Sequence, residues 1–341
     1  MTNYILKNEN AVYYECGFSC DNEIFLKFGS ERIFITDARY TVEAQEKLRG
    51  VKIVEARDVV KKAAELLAKH KIKKLHFDPS DFTVWEYEKL KESKYTYFEP
   101  MPNFSRQKRI IKTNKEIKLI KEAVRLGAEA FDQFAAYLKR HGLNQNEKRL
   151  FFECSARLQN FGEYALSFDP IVAINENAAK PHALPTDKEV RIGSLLLVDA
   201  GMKFERYCSD RTRVAEYNSE INFDKKKQSF LSSKRQKVYD TVLKAQEKAI
   251  KAAKPGVKAC DIDKAARDVI DKAGFGKYFV HSTGHGVGLD IHELPVISAK
   301  SQTVIEENMV FTIEPGIYLP GEFGVRIEDM VRIAPTRAVV L

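Results

Sequence analysis

His281-Ser-Thr-Gly-His285-Gly-Val-Gly-Leu-Asp-Ile-His292-Glu, with Met309-Val-Phe-Thr-Ile-Glu314 and Val325-Arg-Ile-Glu328-Asp-Met-Val331 after it, decides how this chain is read. The second and third stretches have the apolar character of buried strands, yet each contains a glutamate. Upstream, Ser194-Leu-Leu-Leu-Val-Asp199 ends an apolar run on an aspartate. Asp210 stands eleven residues further on, inside a strand-like stretch from Tyr207 to Ala215. Buried carboxylates are costly unless paired, protonated or bound to a cation. One such acid reads as a strand end that reaches solvent; four in one region read as a shared cation site. Gly284, Gly286 and Gly288 around His285 predict close backbone approach, as a bound ion or substrate requires. One imidazole with four carboxylates is an oxygen-rich set suited to paired divalent ions, manganese ahead of a zinc cage of thiolates. No cysteine pair has the C-x-x-C spacing of a structural zinc site.

Working outward, the pattern predicts an α+β chain in two domains, residues 1–110 and 111–341. In the first, Ile24 to Thr36 is two apolar strands around a Gly29-Ser30 turn. Asp58 to Ala68 is an amphipathic helix, and Lys74 to Asp78 a strand stopped by Pro79. The periodic pattern breaks at Pro100 to Phe104, which marks the boundary. A capping box, Thr113-x-x-Glu116, then opens a helix whose apolar positions run from Ile117 to Leu138, closed by Gly142. Further helices are expected near 145–159, 234–253 and 261–273. The Lys- and Ser-rich stretch from Tyr217 to Lys234 reads as a surface insertion.

Composition agrees with a large folded chain. At 341 residues, two domains are the prior; 44% hydrophobic and 30% charged residues exclude disordered and collagen-like classes. No apolar run reaches the ~20 residues of a membrane span, so no membrane partner is expected. The N-terminus lacks the pattern of a signal peptide, and five scattered cysteines fit a reducing compartment, so a cytoplasmic protein is expected. The net charge of +8 is a small surplus of 56 basic over 48 acidic residues. The clusters Lys225-Lys226-Lys227 and Lys108 to Arg125 read as solvated faces, and no nucleic-acid partner is expected. His70, His76 and His141 read as ordinary surface or core histidines.

Val198-Asp-Ala-Gly201, Tyr207-x-Ser-Asp210-x-Thr-Arg213, the histidine stretch, Glu314-Pro-Gly-Ile-Tyr318 and Arg326-Ile-Glu328-Asp resemble the pita-bread (M24) metallopeptidases. Pro170 to His182 is similar to the segment carrying a further active-site histidine in that family, although Asn175 and Glu176 depart from its usual residues. Residues before this region, with Ile35-Thr-Asp-Ala-Arg-Tyr40, resemble the creatinase-type N-terminal domain of proline-specific members. The resemblance implies a small α/β domain followed by a pita-bread catalytic domain. It implies two divalent ions held by Asp199, Asp210, His285, Glu314 and Glu328, manganese first, with cobalt or zinc as substitutes. Asp199 would serve chiefly one ion, Asp210 and Glu328 would bridge, and His285 with Glu314 would serve the other. Glu314 would move the proton, and His182 and His292 would stabilise the oxyanion and orient the peptide. Arg326 would hold a carboxylate, and His281 would shape a prolyl pocket. The implied activity is a Xaa-Pro aminopeptidase, acting on peptides with proline second, in a homodimer. A Xaa-Pro dipeptidase is the near alternative. A binding member without catalysis is the distant one, since such members lose metal ligands.

Overall fold

The computed structural model describes residues 2–341. The chain separates into two compact units, one ending at Lys108 and one running from Arg109 to Leu341. The first unit is a six-stranded mixed sheet, in the spatial order Lys52–Glu55, Glu31–Thr36, Glu23–Phe28, Tyr4–Leu6, Lys74–Phe77, Tyr97–Pro100. The expected hairpin is present as antiparallel Glu23–Phe28 and Glu31–Thr36. The helix Val59–Lys69 is capped by Asp58, whose carboxylate accepts from Lys61 N, and it buries Val59, Val60, Ala63 and Leu67 against the sheet.

In the second unit the long helix is Asn114–His141. Thr113 and Glu116 form the capping box, with the Thr113 N–H donating to Glu116 Oε2 at 2.8 Å. The helix packs, together with Glu147–Leu158, on one face of a three-stranded antiparallel sheet made of Ile171–Ile174, Leu195–Ala200 and Arg211–Glu216. Helices Ser233–Ala252 and Ala259–Lys272 cover apolar residues on the opposite face. The strand residues divide with period two: Leu196, Val198 and Ala200 join the first core, while Leu195 and Leu197 join the second. Burial on both faces is why this strand reads as a continuous apolar run rather than an alternating one. Asp199 has the parity of Leu195 and Leu197 and pairs across the sheet with Thr212 and Ile171. A five-stranded sheet, Glu293–Ile297, Gly284–Gly286, Val310–Ile313, Asp329–Ile333 and Ala338–Val340, completes the unit with the hairpin Gly316–Leu319 and Phe323–Arg326.

Two expected strands are each broken in two. Tyr207–Cys208 pairs with Met202–Phe204, and after Ser209 and Asp210 the chain joins another sheet as Arg211–Glu216. Likewise Phe323–Arg326 belongs to the hairpin and Asp329–Ile333 to the five-stranded sheet, with Ile327 and Glu328 between them. The acids therefore stand where the chain changes sheets, a position in which a side chain is freed from the ladder and can be aimed inward. Among the described residues, no helix is long and apolar enough to cross a membrane.

The surface-insertion reading of 217–234 is corrected. Tyr217, Ile221, Phe223 and Phe230 are buried. Phe223 packs edge-on to Phe131 and stacks on Phe134, with ring centroids 5.5 and 6.2 Å away. Charge and serine content concealed four apolar anchors. The basic clusters are also less solvated than expected, since Arg109 and Lys112 are buried and paired with Asp290 and Glu293.

The loop 175–186 is organised by a buried acid that sequence reasoning overlooked. Glu147 accepts hydrogen bonds from Ile174 N (2.6 Å), Asn177 Nδ2 (2.8 Å), Thr186 N (2.7 Å) and Thr186 Oγ1 (2.6 Å). Replacement by alanine strands these donors, and each unsatisfied buried group costs about 1–3 kcal/mol. Glu147→Ala is expected to lower unfolding free energy by roughly 2–4 kcal/mol. Urea denaturation followed by circular dichroism reads this, and a loss below about 0.5 kcal/mol, the range of a neutral surface change, contradicts the role.

Candidate metal centre

Asp210, His285 and Glu328 each bring one ligand atom to a common point, all within 4.8 Å of one another. His285 is oriented for this. Its Nδ1 lies 3.1 Å from the Gly286 carbonyl, to which it donates, so Nε2 carries the lone pair. Nε2 faces Asp210 Oδ2 at 3.6 Å and Glu314 Oε1 at 3.4 Å. Burial holds the imidazole below its ordinary pKa and thus neutral. Convergent nitrogen and oxygen acceptors of this kind could hold a divalent cation.

Oxygens without partners point the same way. Asp199 Oδ1, Asp210 Oδ1 and Glu328 Oε1 are buried and accept no hydrogen bond from the protein. The other oxygen is engaged in two cases: Glu328 Oε2 accepts from Thr212 Oγ1 at 2.6 Å, and Asp199 Oδ2 from Arg326 Nη2 at 2.5 Å. Thr312 supports the remaining pair, accepting from His285 N (3.1 Å) and donating to Glu314 Oε1 (3.2 Å). Thr212 and Thr312 went unremarked in sequence. Their signal is position, two residues from Asp210 and from Glu314 respectively.

The site's electrostatics follow. Burial first, then the charges of Glu328 and Asp199, push the Asp210 carboxyl well above its usual range. Burial, then Glu314 and Asp199, does the same to Glu328. Glu314 is pushed up to about 7 by burial, opposed by Arg326 and reinforced by Asp199. Arg326 is the one cation among them. Its Nε donates to Thr212 Oγ1 (3.1 Å), and Nη1 to Tyr318 Oη (2.6 Å) and the Pro181 carbonyl (3.3 Å). Burial works against its charge, but Tyr318, Asp199, Glu314 and Glu328 together hold it firmly protonated. The Tyr318 hydroxyl donates to His281 Nε2 at 2.8 Å, while His281 Nδ1 donates to Ser282 O at 2.8 Å. His281 is therefore a neutral imidazole with both nitrogens used, and burial takes its pKa down to about 4.

The remaining expected residues lie at the rim. His182 and His292 are exposed, and the His292 ring stands edge-on to His285 with centroids 4.3 Å apart. The glycines around His285 need a correction. A side chain at Gly284 would meet Thr312 O at 1.9 Å, and one at Gly286 would meet Leu294 O at 2.1 Å. Their smallness serves packing between strands, not approach of a ligand. Asn175 takes a glycine-like backbone, φ 50°, and its Oδ1 accepts from Leu195 N (2.8 Å) and Arg235 Nη2 (3.0 Å), which ties the His182 loop to the sheet.

The profile of Metallopeptidase family M24 matches residues 118–335. The chain belongs to that family. It is accordingly a hydrolase, with a small α/β unit preceding a pita-bread unit. A Xaa-Pro dipeptidase of Pyrococcus horikoshii is 34% identical over 331 residues, 96% of this chain and 89% of the relative. Among solved structures, an X-Pro aminopeptidase from Thermotoga maritima aligns with TM-score 0.87 and 31% identity, covering 100% of this chain and 95% of the other. A Xaa-Pro dipeptidase from Bacillus anthracis aligns with TM-score 0.90 and 33% identity, covering 99% and 92%.

The raised carboxylates set a pH dependence for the metal-free protein. In the folded state Asp210, Glu314 and Glu328 bind protons that the unfolded chain has already released. Stability therefore falls as pH rises from the ordinary carboxylate range through about 7, where Glu314 titrates. Chelated protein is expected to lose several degrees of melting temperature between pH 5 and pH 8, a loss of about 2 kcal/mol corresponding to roughly 4–8 °C. Divalent metal should abolish most of that drop. Thermal denaturation across this pH window checks it, and a melting temperature that rises with pH in chelator contradicts it.

Proposed function

We propose that the chain is a metal-dependent exopeptidase that hydrolyses the bond between an N-terminal residue and a penultimate proline, a Xaa-Pro aminopeptidase. The observation that carries this reading is the meeting of ligand atoms of Asp210, His285 and Glu328 within 4.8 Å of one another, with buried oxygens of Asp199, Asp210 and Glu328 that accept no hydrogen bond, in a chain similar to named Xaa-Pro peptidases. Asp199, Asp210, His285, Glu314 and Glu328 would hold two divalent ions. Charge supports two rather than one: once the four carboxylates are ionised as ligands, the Arg326 guanidinium leaves three negative charges, more than one divalent cation offsets. The oxygen-rich donor set favours manganese, with cobalt or zinc as substitutes.

Bound there, such ions lower the pKa of water and polarise a carbonyl. The chain's own residues do the rest. Glu314 would take a proton from the attacking water and return it to the proline nitrogen. That nitrogen has no N–H in the intact bond, so it needs a proton delivered as it leaves. His182 and His292, at the rim, would hold the peptide and its developing oxyanion. His281 has no free nitrogen and shapes the pocket with Phe279, whose ring lies edge-on at 5.1 Å. Arg326 aligns Asp199 and spends four of its five N–H groups on Asp199, Thr212, Tyr318 and the Pro181 carbonyl.

With most of these donors turned to the protein itself, we take the aminopeptidase as the first reading, because a dipeptidase must recognise the carboxylate of proline. A Xaa-Pro dipeptidase is the second reading, favoured by the names of two of the relatives above. All five cysteines are free thiols, which supports a cytoplasmic location. A homodimer is carried over from the family resemblance.

Asp210→Ala is expected to abolish metal uptake and to reduce hydrolysis at least ~100-fold, by loss of a metal-ligating carboxylate. Metal analysis of the purified variant, beside its activity on Gly-Pro-X peptides, checks this, and unchanged hydrolysis contradicts the centre. Manganese-loaded enzyme is expected to cleave Gly-Pro-X tripeptides faster than Gly-Pro. Product chromatography decides, and cleavage of the dipeptide alone establishes the second reading instead.

A further inference from the structure

Of the three lysines at 225–227, the first turns inward. The Lys225 side chain is 17% exposed against 75% for Lys227. Its Nζ pairs with Asp329 Oδ2 and donates to Gln246 Oε1 at 2.9 Å. Gln246 Nε2 donates in turn to Asp329 Oδ2 at 3.0 Å and to the Ile313 carbonyl at 3.2 Å. Arg213 closes the arrangement, with Nη2 on Asp329 Oδ1 and Nη1 on the Glu328 carbonyl, both at 2.5 Å. Asp329 is 4% exposed, so it needs these partners to stay ionised.

The consequence is positional. Asp329 directly follows Glu328, and Ile313 directly precedes Glu314. The Lys225–Gln246–Asp329 triangle thus grips the backbone beside two of the acids assigned to the metal centre. The strand Arg211–Glu216, the helix Ser233–Ala252 and the segment between them each contribute one donor. Lys225 cannot drift from its place, because Phe223 is stacked on Phe134 and the Tyr239 hydroxyl donates to the Lys225 carbonyl at 2.8 Å.

We propose that Lys225 is a positioning residue for the metal centre, acting through Asp329 and Gln246 on the backbone that carries Glu328 and Glu314. The proposal rests on the metal-centre reading above. Outer partners of metal ligands typically govern affinity by 10–100-fold. Lys225 acts through a further residue, so a change near the lower end, about tenfold, is expected.

The test uses full-length protein stripped of metal and titrated with Mn2+ by calorimetry. K225M, which keeps length and loses charge, is expected to bind Mn2+ about tenfold more weakly than wild type, and K225R to recover part of the loss. A purely structural role would lower the melting temperature of metal-free K225M while leaving Mn2+ affinity within about twofold, and that result overturns the proposal. A second measurement needs no variant. Coupling between sites is reciprocal, so Mn2+ must in turn stabilise the segment. Hydrogen exchange on wild type should show residues 221–231 gaining protection when metal is added; unchanged protection overturns the proposal. Wild-type protein that takes up no Mn2+ overturns the metal centre itself, which separates the two failures.

Discussion

Everything in the second unit answers to one constraint: four carboxylates are gathered around a single guanidinium, out of reach of bulk water. Two like charges about 4 Å apart repel by about 4 kcal/mol at the effective dielectric of a protein. Several such pairs rival the whole stability of a domain, about 5–15 kcal/mol. Arg326 relieves part of this and is suited to do so, since guanidinium stays charged where a lysine would release its proton. Four of its five N–H groups are taken, by Asp199, Thr212, Tyr318 and the Pro181 carbonyl. What Arg326 leaves uncompensated must be met by protons or by added cations. A fold that tolerates this cluster is one that could hold such cations.

The same constraint explains where the acids lie in the chain. Within a ladder, a strand residue's direction is dictated by its neighbours, and only Asp199 accepts that discipline. Asp210 and Glu328 sit in two-residue breaks between sheets, and Glu314 in the gap between Val310–Ile313 and Gly316–Leu319. Each break costs backbone pairing, which neighbouring groups restore: Glu328 N donates to the Thr212 carbonyl, and Glu314 N to the Thr283 carbonyl. Strands supply rigidity, and their interruptions supply aim.

This distribution also sets what sequence could reveal. Asp199, Asp210, Glu314 and Glu328 were legible because a carboxylate in an apolar run violates the local pattern, and His285 because it sits in a dense histidine motif. The apolar run at 195–200 was legible because both its faces are buried. Glu147 and Lys225 were not. Both lie in polar surroundings where an acid or a lysine is ordinary, and their partners are 27 or more residues away for Glu147 and 21 or more for Lys225. The insertion around Lys225 misled for a related reason, since its apolar anchors are spaced irregularly among Ser and Lys and show no helical or strand period. Thr212 and Thr312 were hidden differently: a hydroxyl in a strand is unremarkable until the acid it serves is seen.

The histidines show how burial alone divides labour among identical side chains. His281 is sealed between Ser282 and Tyr318, so its protons have fixed places and it serves as a wall. His285 is half sealed: Gly286 fixes one nitrogen, and the other faces the acids, which leaves it able to serve as a ligand. His182 and His292 are exposed, with rings open to water and so to a substrate's polar groups. Charge follows the same rule. Arg109, Lys112, Arg213, Lys225 and Arg326 all face buried acids, so the basic residues that matter most contribute nothing to the outward field. The basic surplus lies on the remaining surface, while the interior keeps its cations to position anions.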